Sequence, residues 1–276
     1  DLLSALRDWK HKTSRKPLVL RGARQVGKTT LVDEFSHEFD YYIKLNLEKK
    51  SDRDIFDQTD NVKEIIQYLY VRENIALHKT QSVLLFIDEI QNVKGFESVV
   101  QAYAEEGFSV FLTGSNSYLL SDEITTKLTG RYLSFEVFPL DFSEYLEMKK
   151  FFGMKTSDEY SEFDEFILNG GFPKSLEFDE INARQTYTRN IIREIFEKDV
   201  KTRKKITNVP VYERVQSFLL NNYASPFSLS NLLECLSQAG FSTKATTVRG
   251  YIEDLKKAKI VLEILKRNDN AAHGQV

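Results

Sequence analysis

Residues 22–29, Gly22-Ala23-Arg24-Gln25-Val26-Gly27-Lys28-Thr29, fit the pattern G-x-x-x-x-G-K-[ST] at every fixed position. The chemistry this spacing performs is phosphate binding. Its glycines let successive backbone N–H groups close around anionic oxygens, and a helix that starts at the lysine adds the positive end of its dipole. On this reading Gly22, Ala23, Arg24, Gln25, Val26, Gly27, Lys28, Thr29 and Thr30 cradle a nucleotide. Lys28 neutralises β- and γ-phosphate charge, and the Thr29 hydroxyl is a Mg²⁺ ligand. Alone, the loop does not choose among kinases, GTPases, motors and switches.

A second run, "LLFIDEIQ" (84–91), narrows the choice. Asp88 closes an apolar strand and can hold the shell of a Mg²⁺ ion. Glu89 follows at once, where a carboxylate can orient or deprotonate an attacking water, which hydrolysis requires and a small-molecule kinase does not. The next apolar run ends in "FLTGSN" (111–116), so that Thr113, Ser115 or Asn116 emerges at a strand end, able to bond a γ-phosphate or the water. Asn46, at the end of "IKLNLE", can restrain Glu89 through its amide. No N-K-x-D or D-x-x-G element occurs, which disfavours a GTPase.

These residues need a sheet to bring them together. Between Pro17 and about Val137, apolar runs at 17–20, 41–47, 83–88, 109–114 and 133–138 alternate with helix-periodic segments. Strands alternating with helices predict a parallel five-stranded sheet flanked by helices, an α/β P-loop NTPase fold. After Pro139 the periodicity is helical. We read a core over 1–141, an all-α lid with a basic linker over 142–205, and a third domain over 206–276. In that last section Val248, Tyr251, Ile252 and Leu255 recur at i, i+3, i+4, i+7 and predict a core-facing stripe on a third helix. Thr243, Thr246 and Arg249 then face outward, on what reads as a winged helix-turn-helix suited to a DNA groove.

The ordered set "GARQVGKTTL", "FIDEIQ", "LTGSN", "GR" (130–131) with "FPLDFSEYL" (138–146), and "GGFPKS" (170–175) resembles the AAA-type ATPases of archaea and bacteria. Relatives of that family are the STAND and origin-recognition ATPases. The resemblance covers roughly residues 1 to 265 and implies ATP and Mg²⁺ as cofactors. It also implies Thr113 or a neighbour as first sensor, Asn46 as partner of the catalytic glutamate, and Arg131 as an arginine that reaches a neighbouring subunit's nucleotide. The chain departs from typical members in the lid, where "GGFPKS" stands in place of a G-x-x-R sensor and is similar to the G-x-P element of STAND proteins. That departure favours a slow switch over a fast motor.

Composition sets the outer bounds. A net charge of −3 over 276 residues hides an asymmetry: residues 1–182 carry 22 basic and 32 acidic side chains, residues 183–268 carry 16 and 8. A polyanion such as double-stranded DNA is therefore expected late in the chain, if anywhere. A basic solvated face is the simpler alternative. One cysteine, Cys235, argues against a disulfide framework. "SVLLFI" (82–87) is too short to span a membrane, for which ~20 apolar residues are needed. A cytoplasmic protein without a leader is the expectation, acting alone, as a homo-oligomer or on a protein client. The leading reading is an ATP-hydrolysing AAA-type switch. The alternatives are a nucleotide-gated DNA-binding or scaffold protein with negligible turnover and, less favoured, a P-loop kinase.

Overall fold

Apolar runs with no polar face become the centre of a parallel sheet in the computed structural model. It describes residues 2–12, 15–59, 61–76, 82–93, 96–114, 130–200, 206, 208–222 and 225–261. The strands are β1 (Leu18–Arg21), β2 (Tyr41–Asn46), β3 (Val83–Asp88), β4 (Ser109–Thr113) and β5 (Leu133–Glu136). Their order across the sheet is β2-β3-β4-β1-β5, and every pair is parallel. All residues of β3 and β4 are buried. A parallel sheet forces this, because its crossovers lay helices on both faces.

Alternation along the strands divides the core in two. Leu18, Leu20, Leu84, Phe86 and Phe111 pack under helices α1 (Leu2–Lys10) and α2 (Lys28–Ser36), meeting Leu6, Trp9, Val32 and Phe35. The Trp9 ring stands edge-on to Phe111 at 5.0 Å, and its N–H donates to the Lys16 carbonyl at 2.9 Å. Val19, Val83, Leu85, Ile87, Val110 and Leu112 fill the other face. They pack against α3 (Lys50–Gln58), α4 (Val62–Arg72) and α5 (Phe96–Glu105). The expected fold class is therefore what is found, with β2, β4 and β5 ending one or two residues earlier than the apolar runs suggested, β3 ending where expected and β1 one residue later.

Backbone contacts divide the chain into two units, 1–195 and 196–276. The helical lid thus belongs with the sheet. It comprises α6 (Phe142–Phe151), α7 (Glu159–Asn169), a 3₁₀ turn (Pro173–Glu177) and α8 (Ile181–Ile195). A capping box starts α6: the Asp141 carboxylate accepts from the Glu144 N–H at 2.8 Å, and Glu144 accepts from the Asp141 N–H at 3.0 Å. At the lid's centre the buried Lys149 ammonium meets Glu162 at 2.6 Å and Glu165 at 3.0 Å. Arg184 completes the set on Glu165 at 2.5 Å and donates to the Phe178 carbonyl at 2.7 Å.

In the second unit a π-helical turn (Phe196–Val200) precedes α9 (Val209–Asn221), α10 (Leu229–Gln238) and α11 (Ala245–Lys257). Tyr212 lies against both Phe196 and Tyr251, at 4.8 and 5.3 Å between ring centres. Val248, Tyr251 and Leu255 are buried as their spacing predicts, and Ile252 is half-buried. A turn through Gly240 joins α10 to α11. The residues where a wing strand was expected, from 262 on, lie outside the described residues. No described helix is long and apolar enough to cross a membrane.

The lid network sets a stability prediction. Burial pushes the Glu165 carboxyl up, but the Lys149 ammonium, the Tyr145 hydroxyl and Arg184 outweigh it and hold the group below its ordinary value. Removing one partner strands a buried charge, so Lys149→Met should cost about 3–5 kcal/mol at neutral pH in urea unfolding. Because the folded-state value is depressed, Glu165's contribution is complete above the ordinary glutamate range. It disappears as pH falls through the depressed value, so the penalty of the variant should shrink in acid.

Candidate functional site

The loop between β1 and α2 follows from local backbone demands. Gly27 (φ +90°) and Gln25 (φ +62°) are in the left-handed region, so the chain turns its N–H groups inward before α2 begins at Lys28. Gly22 has a different reason to be glycine. The backbone leaving β5 passes close by, with Val137 N–H donating to the Arg21 carbonyl at 2.7 Å, and a Cβ at Gly22 would collide with the Val137 carbonyl oxygen. Ala23 and Val26 are buried beneath the loop, Arg24 is half-buried, and Gln25 and Thr30 are exposed. The Lys28 ammonium is folded back inside, donating to the carbonyls of Gly22 at 3.0 Å and Ala23 at 2.7 Å.

Asp88 is the meeting point. Its buried carboxylate accepts from the Thr29 hydroxyl at 3.1 Å on one oxygen and from the Thr113 hydroxyl on the other. The sheet order makes this possible, because β4 lies between β1 and β3 and delivers Thr113 between the loop and Asp88. Of the sensor candidates in "TGSN", Thr113 stands beside the carboxylate. Ser115 and Asn116 lie outside the described residues.

Glu89 is half-buried and sits at φ +59°, ψ +47°, so the chain swings off the strand line immediately after Asp88. A non-glycine residue held there costs on the order of 1–3 kcal/mol, a strain found where function requires a particular side-chain direction. Asn46 lies directly opposite Asp88 in the β2–β3 register. Its side-chain carbonyl accepts from the Glu48 N–H at 2.9 Å, an Asx turn that leaves only its amide nitrogen for Glu89.

Arg131 is elsewhere. It stands two residues ahead of β5, whose first residue pairs with Leu18 at the amino end of β1, so it is at the amino end of the strands, whereas the loop leaves their carboxyl end. A strand of four residues spans about 13 Å. Arg131 is exposed and donates to Gln101 at 2.7 Å. In the second unit, Thr246 and Arg249 are exposed on α11, and the half-buried Thr243 lines an open hollow with Leu233 and Phe241.

Sequence reasoning missed a clamp behind the loop. Asp33, one turn after Thr29 on α2, accepts from the Tyr42 hydroxyl at 2.5 Å and from the Lys44 ammonium at 2.7 and 2.8 Å. Burial, and then the Asp33 carboxylate, push the Tyr42 hydroxyl up, so it keeps its proton and donates. The signal was present as polar residues alternating on β2 beside an aspartate at i+4 from Thr29.

Against families of known proteins, residues 14–146 match a model described as an AAA domain, and residues 160–273 match a domain of unknown function. An uncharacterised protein of Methanocaldococcus jannaschii is 31% identical over 251 residues, covering 88% of this chain and 55% of its own. One from Haemophilus influenzae is 29% identical over 181 residues, covering 64% and 44%. The chain spans about half the length of these curated relatives. Among solved structures, the ORC1 protein of Aeropyrum pernix in complex with DNA aligns at 15% identity and a TM-score of 0.38, covering 94% of this chain and 82% of that one.

The collision at Gly22 yields a specific test. Gly22→Ala must push the loop away from Val137, and titration calorimetry with Mg-ATP should show binding weakened by about tenfold or more, roughly 1.4 kcal/mol. Gln25→Gly, which relieves a left-handed non-glycine residue, should bind at least as well as the parent.

Proposed function

We propose that this chain, whose residues 14–146 match an AAA domain, works as a slow ATP-hydrolysing switch coupling nucleotide state to its C-terminal helical unit. The observation that carries this is Asp88, bracketed by the hydroxyls of Thr29 and Thr113 and followed at once by the strained Glu89. Loop N–H groups and Lys28 bind the β- and γ-phosphates, the ammonium exchanging its contacts with the Gly22 and Ala23 carbonyls for anionic oxygens. The Thr29 hydroxyl and Asp88 carboxylate form an all-oxygen donor set that suits Mg²⁺, which supplies charge neutralisation at the phosphates when bound. Glu89 orients the water and accepts its proton. Thr113 senses the occupant through the carboxylate it shares with Thr29.

Arg131, remote from its own loop, serves the site of a neighbouring copy. The lid has its own route to the site. Leu140 N–H donates to the Gly171 carbonyl at 2.7 Å, three residues beyond the Val137 contact with β1. The "GGFPKS" turn is thereby connected to the strand exit beside the loop and reports on nucleotide there. The missing lid arginine supports slow turnover. It also favours a second reading, a nucleotide-gated DNA-binding or scaffold protein that barely hydrolyses ATP.

DNA contact is assigned to Thr243, Thr246 and Arg249, supported by the two exposed side chains on α11 and the basic character of the late chain. The protein acts in the cytoplasm on this reading.

Multiple-turnover phosphate release decides between switch and gated binder. Glu89→Gln should keep ATP affinity while hydrolysis falls by about 10²-fold or more; unchanged turnover would remove Glu89 from the mechanism. For DNA, Arg249→Ala should lower the slope of log K against log salt by about 1 in fluorescence anisotropy with a duplex. An unaltered slope would assign α11 to packing or assembly instead.

A further inference from the structure

Thr29 and Asp33 stand one turn apart on α2 but are fastened to different strands. The Thr29 hydroxyl bonds to Asp88 at the end of β3, and the Asp33 carboxylate bonds to Tyr42 and Lys44 on β2. The two strands are themselves paired in register, with Lys44 opposite Phe86 and Asn46 opposite Asp88. The attachments therefore close a ring. It runs from Thr29 to Asp88, across the paired backbones to Lys44, and back through Asp33 to α2.

Apolar packing does not supply this constraint. Val32 and Phe35 are buried and hold α2 against the sheet. Such burial is non-directional, so it fixes neither the rotation of the helix about its axis nor its slide along the strands. The Asp33 carboxylate fixes both. Lys44 reaches its two oxygens at 2.7 and 2.8 Å, and the Tyr42 hydroxyl donates to one of them at 2.5 Å. The Lys44 ammonium also lies 5.8 Å from the centre of the Phe86 ring. The Lys44 and Asp33 side chains are 36% and 42% exposed, a setting in which a lone ion pair contributes little stability. Short charge-assisted bonds from two donors give geometry instead.

Geometry is what separates the two common divalent cations of hard oxygen sites. Mg²⁺ demands near-octahedral oxygens at about 2.0–2.1 Å, whereas Ca²⁺ accepts flexible arrangements at about 2.3–2.6 Å. A threonine hydroxyl that drifts by a few tenths of an ångström serves Ca²⁺ as well as one held still. A fixed one favours Mg²⁺.

We propose that the Asp33–Tyr42–Lys44 tie makes the nucleotide site selective for Mg²⁺ over Ca²⁺ by fixing Thr29 against Asp88. The three lie a helical turn behind Thr29 and are positioning residues. Their action rests on the reading of Thr29 and Asp88 as the cation's ligands.

Equilibrium binding of adenylyl imidodiphosphate, a non-hydrolysable ATP analogue, to the full chain in EDTA, in Mg²⁺ and in Ca²⁺ tests it. The wild type should bind more tightly with either cation than in EDTA, and most tightly with Mg²⁺. Asp33→Ala should keep the EDTA affinity, which depends on the loop N–H groups and Lys28. Its preference for Mg²⁺ over Ca²⁺ should fall about tenfold or more, as removal of a group that orients a metal ligand does. Lys44→Met should do the same, and the two together no more than either alone, because they break one contact. Lys44→Arg leaves a cation on Asp33 and should keep the preference. Tyr42→Phe deletes a hydroxyl and leaves the ring, so it lowers the preference with the least disturbance to folding. A wild type bound equally in EDTA and in Mg²⁺ would remove the cation from the site, and this role with it. A wild type that gains as much from Ca²⁺ as from Mg²⁺ would overturn the role of the tie alone. So would Asp33→Ala and Lys44→Met variants that stay selective or that lose affinity equally in all three conditions.

Discussion

One carboxylate organises the N-terminal unit. Asp88 accepts hydroxyl protons from Thr29 and Thr113, and so ties the first turn of α2, the end of β3 and the end of β4 to a single point. That meeting requires β4 to lie between β1 and β3, with register that brings Thr113 level with Leu20 of the loop strand. It also requires α2 to be held over the sheet, which Asp33 achieves through Tyr42 and Lys44. A buried carboxylate is costly unless hydrogen bonds satisfy it. Two hydroxyls at the loop satisfy this one while leaving oxygen donors that a phosphate-bound cation can use.

The lid obeys the same physics with the opposite outcome at its surface. Four charged groups and a tyrosine hydroxyl are gathered inside, arranged so that each glutamate faces a cation. Buried ion pairs of this kind contribute little net stability but tolerate few alternative packings. Tyr160, Ile167 and Leu168 of α7 are left on the exterior, while Phe166 is half-buried against Phe142 and Tyr145.

Much of the candidate site's arrangement could be read directly from the chain. The loop residues, Asp88 and Glu89 are fixed by short spacings, and the strand-loop-helix context around Gly22–Thr29 is local. The stripe on α11 was largely legible, because four of its residues recur at helical period; three are buried and Ile252 is half-buried. That Thr113 reaches Asp88 was not legible, since any of three hydroxyl or amide side chains could leave a strand end there. Asn46 lies opposite Asp88, the residue before Glu89, yet the Asx turn that occupies the Asn46 carbonyl is invisible to pattern reasoning. The inward charges of α7 were hidden for the reason that binary patterning fails wherever polar groups are paired in a core.

What the sequence by itself determined is the local chemistry: which residues can hold phosphates, which carboxylates stand together, and where apolar periodicity switches from strands to helices. These depend on contacts a few residues apart and on backbone demands such as the turn at Gly27. Tertiary structure alone decided which strands are neighbours, that Thr113 joins Thr29 on Asp88, that Arg131 faces away from its own loop, and that α7 turns aromatics outward. Each of these depends on pairing between segments tens of residues apart. Strand order and burial arise from packing the whole unit at once, and no local spacing encodes them.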